Sequence, residues 1–288
     1  MAELLKGKEV VAAMKERLLG QVARLEEQGI HPQMAILRCG ARPDDLSYEA
    51  GASKRLAGLG IGLRVVELPE DVTQAQFTQA VEQLNQDDSI HGVLVFRPLP
   101  PQLDEAAAQA ALLPEKDMDA MTLQNMAKVF AGDPTGYPPC TPEAVMELLQ
   151  HYGVELSGKR VVIIGRSLVV GRPLAMMMLA KNATVTICHT RTKDLPARAR
   201  EADILVACAG KARMVTANYV SPGQTVIDVG INMDENGKLC GDVDQASVEP
   251  IVARLTPVPA GVGTVTTSCL AAHVIRAASA KAAGHTGC

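Results

Sequence analysis

Apolar positions along this chain recur with two alternating periods, and the alternation predicts an α/β protein. Between Lys8 and Glu27 the stripe Val11, Met14, Leu18 and Val22 follows helical spacing. Met34 to Leu37 reads as a strand, followed by Gly40. Asp45 to Leu59 reads as a helix, Leu63 to Leu68 as a strand, and Thr73 to Leu84 as a helix. Gly92 to Phe96 is a buried strand ending at Arg97-Pro98-Leu99-Pro100-Pro101. Helices near Glu105–Leu112 and Pro142–Tyr152 lead to a second half with strands at 161–164, 184–188, 204–208 and 225–229. Strands alternating with helices imply right-handed βαβ units and a doubly wound parallel sheet. The last helix, about Thr266 to Ala283, is mostly Ala and aliphatic, so it must be covered. It is expected to pack across two domains.

The most informative segment runs from Val161 to Pro173. Val161-Val162-Ile163-Ile164 suits a strand covered on both faces. Gly165 permits a sharp turn, Gly171 a close backbone approach, and Pro173 sits near a helix start. Free N–H groups at such a start attract phosphate, and Arg166 and Ser167 add a guanidinium and a hydroxyl. The next strand, Ala183 to Cys188, runs into His189-Thr190-Arg191-Thr192, with no carboxylate until Asp194. An Asp or Glu there is the usual partner of an NAD ribose. Two hydroxyls and two arginines instead favour the 2′-phosphate of NADP.

Length and composition narrow the class further. A chain of 288 residues accommodates two domains, and its scarcity of aromatics and lack of Trp fit aliphatic α/β layers. A net charge of −4 leaves no electrostatic footprint for nucleic acid. No apolar run approaches the ~18 residues of a membrane span. The N-terminal residues are too charged for a signal peptide. Seven scattered cysteines form no C-x-x-C pair, as expected of reduced thiols in a cytoplasmic protein. The six histidines show no metal-ligand spacing, and Ser167 lies in no G-x-S-x-G elbow.

Several blocks together resemble one family. They are Pro98-Leu99-Pro100, Lys116-Asp117-x-Asp119, Pro139-Cys140-Thr141-Pro142, Gly165-Arg166-Ser167 through Gly171-x-Pro173, Asp228-Val229-Gly230, Gly241-Asp242-Val243 and Thr256-Pro257-Val258-Pro259. In this order they are similar to the bifunctional methylenetetrahydrofolate dehydrogenase/methenyltetrahydrofolate cyclohydrolases. The resemblance implies two α/β domains with the active cleft between them. An N-terminal substrate domain would comprise 1–140 plus the helix 266–288, and a Rossmann-like NADP domain 141–265. It also implies a homodimer acting on tetrahydrofolate one-carbon derivatives.

Site residues carry over by position. Lys54, Tyr48 and Asp119 are the expected catalytic and folate-binding groups, with Pro259 and Gly261 beside the substrate. Gly165, Arg166, Ser167, Val170, Gly171, Pro173, His189, Thr190, Thr141 and Ile231 are expected around NADP.

The chain departs from the family pattern in five places. The family Tyr precedes its Lys by four residues, whereas Tyr48 precedes Lys54 by six. Counted from Gly40, Tyr48 holds the family position, which implies two residues inserted before Lys54. On a regular helix six residues separate side chains by about 120°. The two groups then meet only if Tyr48 precedes the helix or the helix is distorted. Phe96 replaces a Gln that partners the lysine, Ala120 replaces the Gly of Asp-Val-Asp-Gly, Ala127 a later Gly, and Ala260 the first Gly of Pro-Gly-Gly. The expected reaction is NADP-dependent oxidation of 5,10-methylenetetrahydrofolate, with hydrolysis of the methenyl product handicapped by Phe96. Two readings from other classes stay open: a cofactor-binding protein that has lost catalysis, and another two-domain NADP dehydrogenase acting on a small acid. The retained Lys54, Asp119 and Gly165–Pro173 turn disfavour the first, and the Lys116–Asp119 and Pro139–Pro142 blocks the second.

Overall fold

The structure is a computed structural model describing residues 1–285. Residues 286–288, which include Cys288 and the end of the expected C-terminal segment, lie outside the described residues. The chain divides into two compact units. One contains Met1–Ala12, Val129–Gly132 and Pro139–Thr266; the other contains Ala13–Lys128, Asp133–Pro138 and the chain from Thr267 onward.

The elements follow the expected alternation. After β1 (Glu3–Leu4) come α1 (Gly7–Glu26), β2 (Gln33–Cys39), α2 (Pro43–Ala57), β3 (Gly62–Leu68), α3 (Gln74–Gln86), β4 (Gly92–Val95), α4 (Glu105–Ala111) and α5 (Leu123–Ala131). Then follow α6 (Cys140–His151), β5 (Arg160–Ile164), α7 (Gly171–Leu179), β6 (Thr184–Cys188), α8 (Leu195–Arg200), β7 (Ile204–Ala207) and β8 (Thr225–Asp228). The chain closes with the hairpin β9 (Asn232–Met233) and β10 (Leu239–Cys240), then α9 (Gln245–Val248), β11 (Arg254–Leu255) and α10 (Thr266–His285).

The smaller sheet is parallel with strand order β3-β2-β4, so its topology reverses at β2. Leu37 is paired with Val66 on one side and Val95 on the other. Its core joins Ala35, Leu37, Phe77, Val81, Val93 and Val95. A capping box starts α3: the Thr73 hydroxyl accepts from the Gln76 N–H, and Gln76 Oε1 accepts from the Thr73 N–H. On α1 the buried stripe begins at Val10 rather than Val11, one position from the expected register.

The larger sheet has order β1-β11-β8-β7-β5-β6, all parallel. From β5 the chain moves to β6 on one side and returns to β7 on the other. That reversal is the switch point where open α/β sheets bind ligands, outside the carboxyl ends of the strands. Val162, Ile164, Leu205, Ala207 and Val226 fill one face of this sheet.

The unit boundaries differ from the expected 1–140 and 141–265. Residues 1–12 group with the larger sheet because β1 pairs with β11, Glu3 opposite Arg254 and Leu4 opposite Leu255. A two-residue strand carries no periodicity, so only its distant partner reveals it. Helix α5 is not among the expected elements either, although Leu123, Met126, Ala127 and Phe130 follow helical spacing on one face; Leu123 and Phe130 on that face are exposed.

Candidate active site

The first half-site lies at the switch point of the larger sheet. Gly165 ends β5 with φ +141°, a conformation open to glycine. A Cβ there would collide with the Cys208 carbonyl and thiol, so no side chain fits between the ends of β5 and β7. A Cβ on Gly171 would collide with the Gly165 carbonyl. The two glycines therefore shape a cradle of bare backbone leading into α7, with Val170 before the helix and Pro173 buried in its first turn. Ser167 Oγ accepts the Val170 N–H at 3.0 Å, which leaves its O–H free to donate outward. Arg172 Nε donates to the Arg166 carbonyl at 3.0 Å and holds the turn.

The loop after β6 lies alongside. Ile164 pairs with Cys188, so Arg166 and Thr190 each stand two residues beyond the paired ends, and both are exposed. His189 is tied down by its own loop: its N–H donates to Thr192 Oγ1, and its Nδ1 accepts from the Arg191 N–H. Thr141 lies in the first turn of α6, Ile231 is exposed just after β8, and Pro259 and Gly261 lie between β11 and α10. A glycine cradle at a helix start, two exposed cationic or hydroxyl groups and no carboxylate before Asp194 fit a phosphorylated dinucleotide.

Two buried carboxylates build this edge. Asp242 accepts the N–H groups of Ala209, Gly210 and Lys211 and one Asn232 side-chain N–H. It thereby fixes the loop after β7. Asp228 accepts from the Gly230, Asp242 and Val243 N–H groups. Burial pushes the Asp228 carboxyl up to about 7, against those three bonds, which favour the charged form. Any side chain at Gly230 or Gly241 would strike one of these carboxylates. The positioning role of Asp242 was not foreseen; its signal was the glycine directly before a buried acid. Cys208 is held near this edge as a neutral thiol, burial raising it to about 12.

The second half-site lies at the carboxyl end of the smaller sheet. Phe96 and Arg97 extend β4, and the Phe96 N–H donates to the Leu37 carbonyl at 2.9 Å. The Tyr48 ring meets Phe96 edge to face, centroids 5.7 Å apart. Asp119 stands just past the bridge between Val93 and Asp117. The Arg97 guanidinium lies 3.8 Å from Asp119 Oδ2 and 3.6 Å from Glu105 Oε1. Tyr48, Phe96, Arg97 and Asp119 are thus brought together.

Lys54 is not among them. α2 runs unbroken from Pro43 to Ala57 and contains both Tyr48 and Lys54, so Tyr48 does not precede the helix and the helix is not distorted between them. On that regular helix Ala52, fully buried, follows Tyr48 by one turn, and Lys54 is exposed on another face. Lys54 instead lies in the last turn, where a cation complements the helix dipole.

Lys116 and Asp117 are structural. Lys116 Nζ donates to the carbonyls of Leu84, Asn85 and Asp87 at 2.8 Å each, closing the end of α3. Buried Asp117 accepts from the Met121 and Thr122 N–H groups, the Thr122 hydroxyl and the Asn125 amide, and so shapes the loop that presents Asp119. Ala120 and Ala260 both adopt positive φ, +49° and +80°. At both places the resembled pattern has glycine, and here a Cβ is accommodated in left-handed backbone.

Comparison with known proteins agrees with both halves. Residues 5–119 match the family profile "Tetrahydrofolate dehydrogenase/cyclohydrolase, catalytic domain", and residues 139–282 match its "NAD(P)-binding domain". The chain is 54% identical over 279 residues to the bifunctional protein FolD of Carboxydothermus hydrogenoformans, covering 96% of this chain and 97% of that protein. It is 50% identical to the protein of the same name from Clostridioides difficile, with 96% of each covered. The crystal structure of FolD from Campylobacter jejuni superposes with TM-score 0.95 at 37% identity, covering 98% of this chain and all of that one. The Trypanosoma brucei enzyme, solved with NADP and an inhibitor, gives TM-score 0.92 at 36% identity, with 98% of each chain covered. With two profile matches, half-identical full-length relatives and the same fold in solved members, this chain belongs to the tetrahydrofolate dehydrogenase/cyclohydrolase family.

Proposed function

We propose that this protein oxidises 5,10-methylenetetrahydrofolate to 5,10-methenyltetrahydrofolate with NADP, and hydrolyses the product to 10-formyltetrahydrofolate as a slower second activity. The observation that carries this reading is the meeting of Tyr48, Phe96, Arg97 and Asp119 at one sheet edge, in a chain whose other unit carries the Gly165–Gly171 cradle. Asp119 accepts the N–H groups of the pterin's amide and amino edge, a charge-assisted contact. The Tyr48 ring supplies a stacking surface. Arg166, Ser167 and Thr190 hold the phosphates, with His189 in the same loop. Val170 and Pro173 shape the helix start, and Thr141, Ile231, Pro259 and Gly261 flank the nicotinamide side. When bound, NADP receives the hydride at nicotinamide C4.

The protein's part in that step is placement and exclusion of water, which needs no strong general base. Hydrolysis is different, because water must attack the methenyl carbon and protons must move. Ala52 and Phe96 offer neither donor nor acceptor for that, so hydrolysis lags behind oxidation. The reading includes a cytoplasmic homodimer. The free cysteines among the described residues suit a reducing compartment.

Asp119→Asn tests the assignment. It keeps shape but removes the accepting charge, so folate binding and both activities are lost while NADP binding, followed by fluorescence titration, is retained. An Asn variant with unchanged folate affinity overturns it.

A further inference from the structure

We propose that Arg97 is a specificity-determining residue that sets the folate half-site against the cationic methenyl product. The inference rests on the folate reading above and concerns the charge of that site. Three ionisable groups meet here: Arg97, Asp119 at 3.8 Å and Glu105 at 3.6 Å. The Arg97 side chain is 17% exposed and the Asp119 side chain 26%, so solvent screens their interaction only partly. Around them the walls are apolar: Phe96 is buried, Tyr48 packs on its edge, and Ala52 fills the position one turn beyond Tyr48. Lys54, exposed on another face of α2, adds no charge to this cluster. Within this three-group cluster Arg97 is the cation.

The reaction changes the charge of its ligand. The methylene bridge is neutral, whereas loss of hydride leaves the methenyl bridge with one positive charge delocalised over two nitrogens. A guanidinium stays protonated throughout. Beside Asp119 it offsets part of the negative field that would otherwise hold that cation. Removing it takes one positive charge from beside the two carboxylates and shifts the site towards the methenyl form. With Arg97 present the site holds neutral folates relatively better and lets the oxidised product go.

The test compares two probes on the full-length protein: methenyltetrahydrofolate, which is cationic, and 5-formyltetrahydrofolate, which is neutral at the same nitrogens. Binding is measured by titration calorimetry near pH 6.5 for the wild type, Arg97→Leu and Arg97→Lys. The affinity ratio, methenyl over formyl, is expected to rise about tenfold in Arg97→Leu, the effect of removing one charge several ångströms away in a partly screened site. In Arg97→Lys it stays within about twofold of wild type. Taking a ratio cancels any general damage to the pocket. If the Leu variant does not fold, Arg97→Gln gives the same reading. A ratio in the Leu or Gln variant that matches wild type overturns the inference. If the wild type binds neither probe, the folate reading itself has failed.

Discussion

Ala52, not Lys54, stands one turn beyond Tyr48 on α2, and its methyl group is fully buried. The relationship reverses an expectation about hydrolysis. Lys54→Met should leave both oxidation and hydrolysis within about twofold of wild type, since the lysine is an exposed last-turn cation. The double variant Ala52→Lys with Phe96→Gln should raise hydrolysis of methenyltetrahydrofolate at least about tenfold, the low side of what a placed acid–base group contributes. The loss of methenyl absorbance at neutral pH, against an enzyme-free control, measures both. Hydrolysis abolished by Lys54→Met would show that Lys54 reaches the substrate after all.

Cofactor preference should follow the loops after β5 and β6. Arg166 and Thr190 stand beyond the paired residues Ile164 and Cys188, and no carboxylate intervenes before Asp194. Losing one charge-assisted contact costs about 1.5–3 kcal/mol. Arg166→Ala should therefore weaken NADP by about tenfold or more while NAD changes little. Equal losses for both nucleotides would show that Arg166 does not read the 2′-phosphate.

The two alanines in left-handed backbone are sites of latent stability. Ala260 has φ +80° and Ala120 φ +49°. Such backbone costs an L-residue about 1–2 kcal/mol, and glycine returns somewhat less than 1 kcal/mol through the freedom it adds to the unfolded chain. Ala260→Gly should raise unfolding stability by about 0.5–1 kcal/mol, seen as a higher urea midpoint at constant slope. A lower midpoint would mean that the Ala260 methyl group makes contacts outweighing the strain.

Asp228 predicts a pH dependence of definite sign. Its carboxyl is raised to about 7 by burial, from an ordinary value near 3.8. In that window the folded chain binds a proton that the unfolded chain has released. Stability from this group is therefore present below about pH 4 and declines as pH rises towards 7, by an amount on the order of a few kcal/mol. Asp228→Asn removes the slope. It also turns an amide N–H₂ towards backbone donors that now reach an acceptor, so the variant is less stable throughout. Urea unfolding of both proteins at pH 4.5, 6 and 8 measures the difference, and parallel profiles would rule out a proton on Asp228.

Much of this protein was determined locally by its sequence. The run Val161–Ile164, the glycines at 165 and 171 and the alternation of helix and strand announce a parallel sheet with a phosphate-binding turn. Buried strands and tight turns impose apolar runs and small residues on the positions that form them. The blocks around Asp117, Asp228 and Asp242 were equally visible, although their work was not. Asp228 and Asp242 collect N–H groups from segments 14 to 33 residues away, and no local pattern records such a partner, whereas the donors to Asp117 lie within eight residues of it. The tertiary structure alone decided where Lys54 points, because a helix that runs unbroken through Tyr48 and Lys54 sets the angle between them. It alone joined Arg97 to Asp119, and β1 to β11 across some 250 residues of chain. Those contacts depend on which distant strands pair and in what register, and that is settled only when the whole core closes.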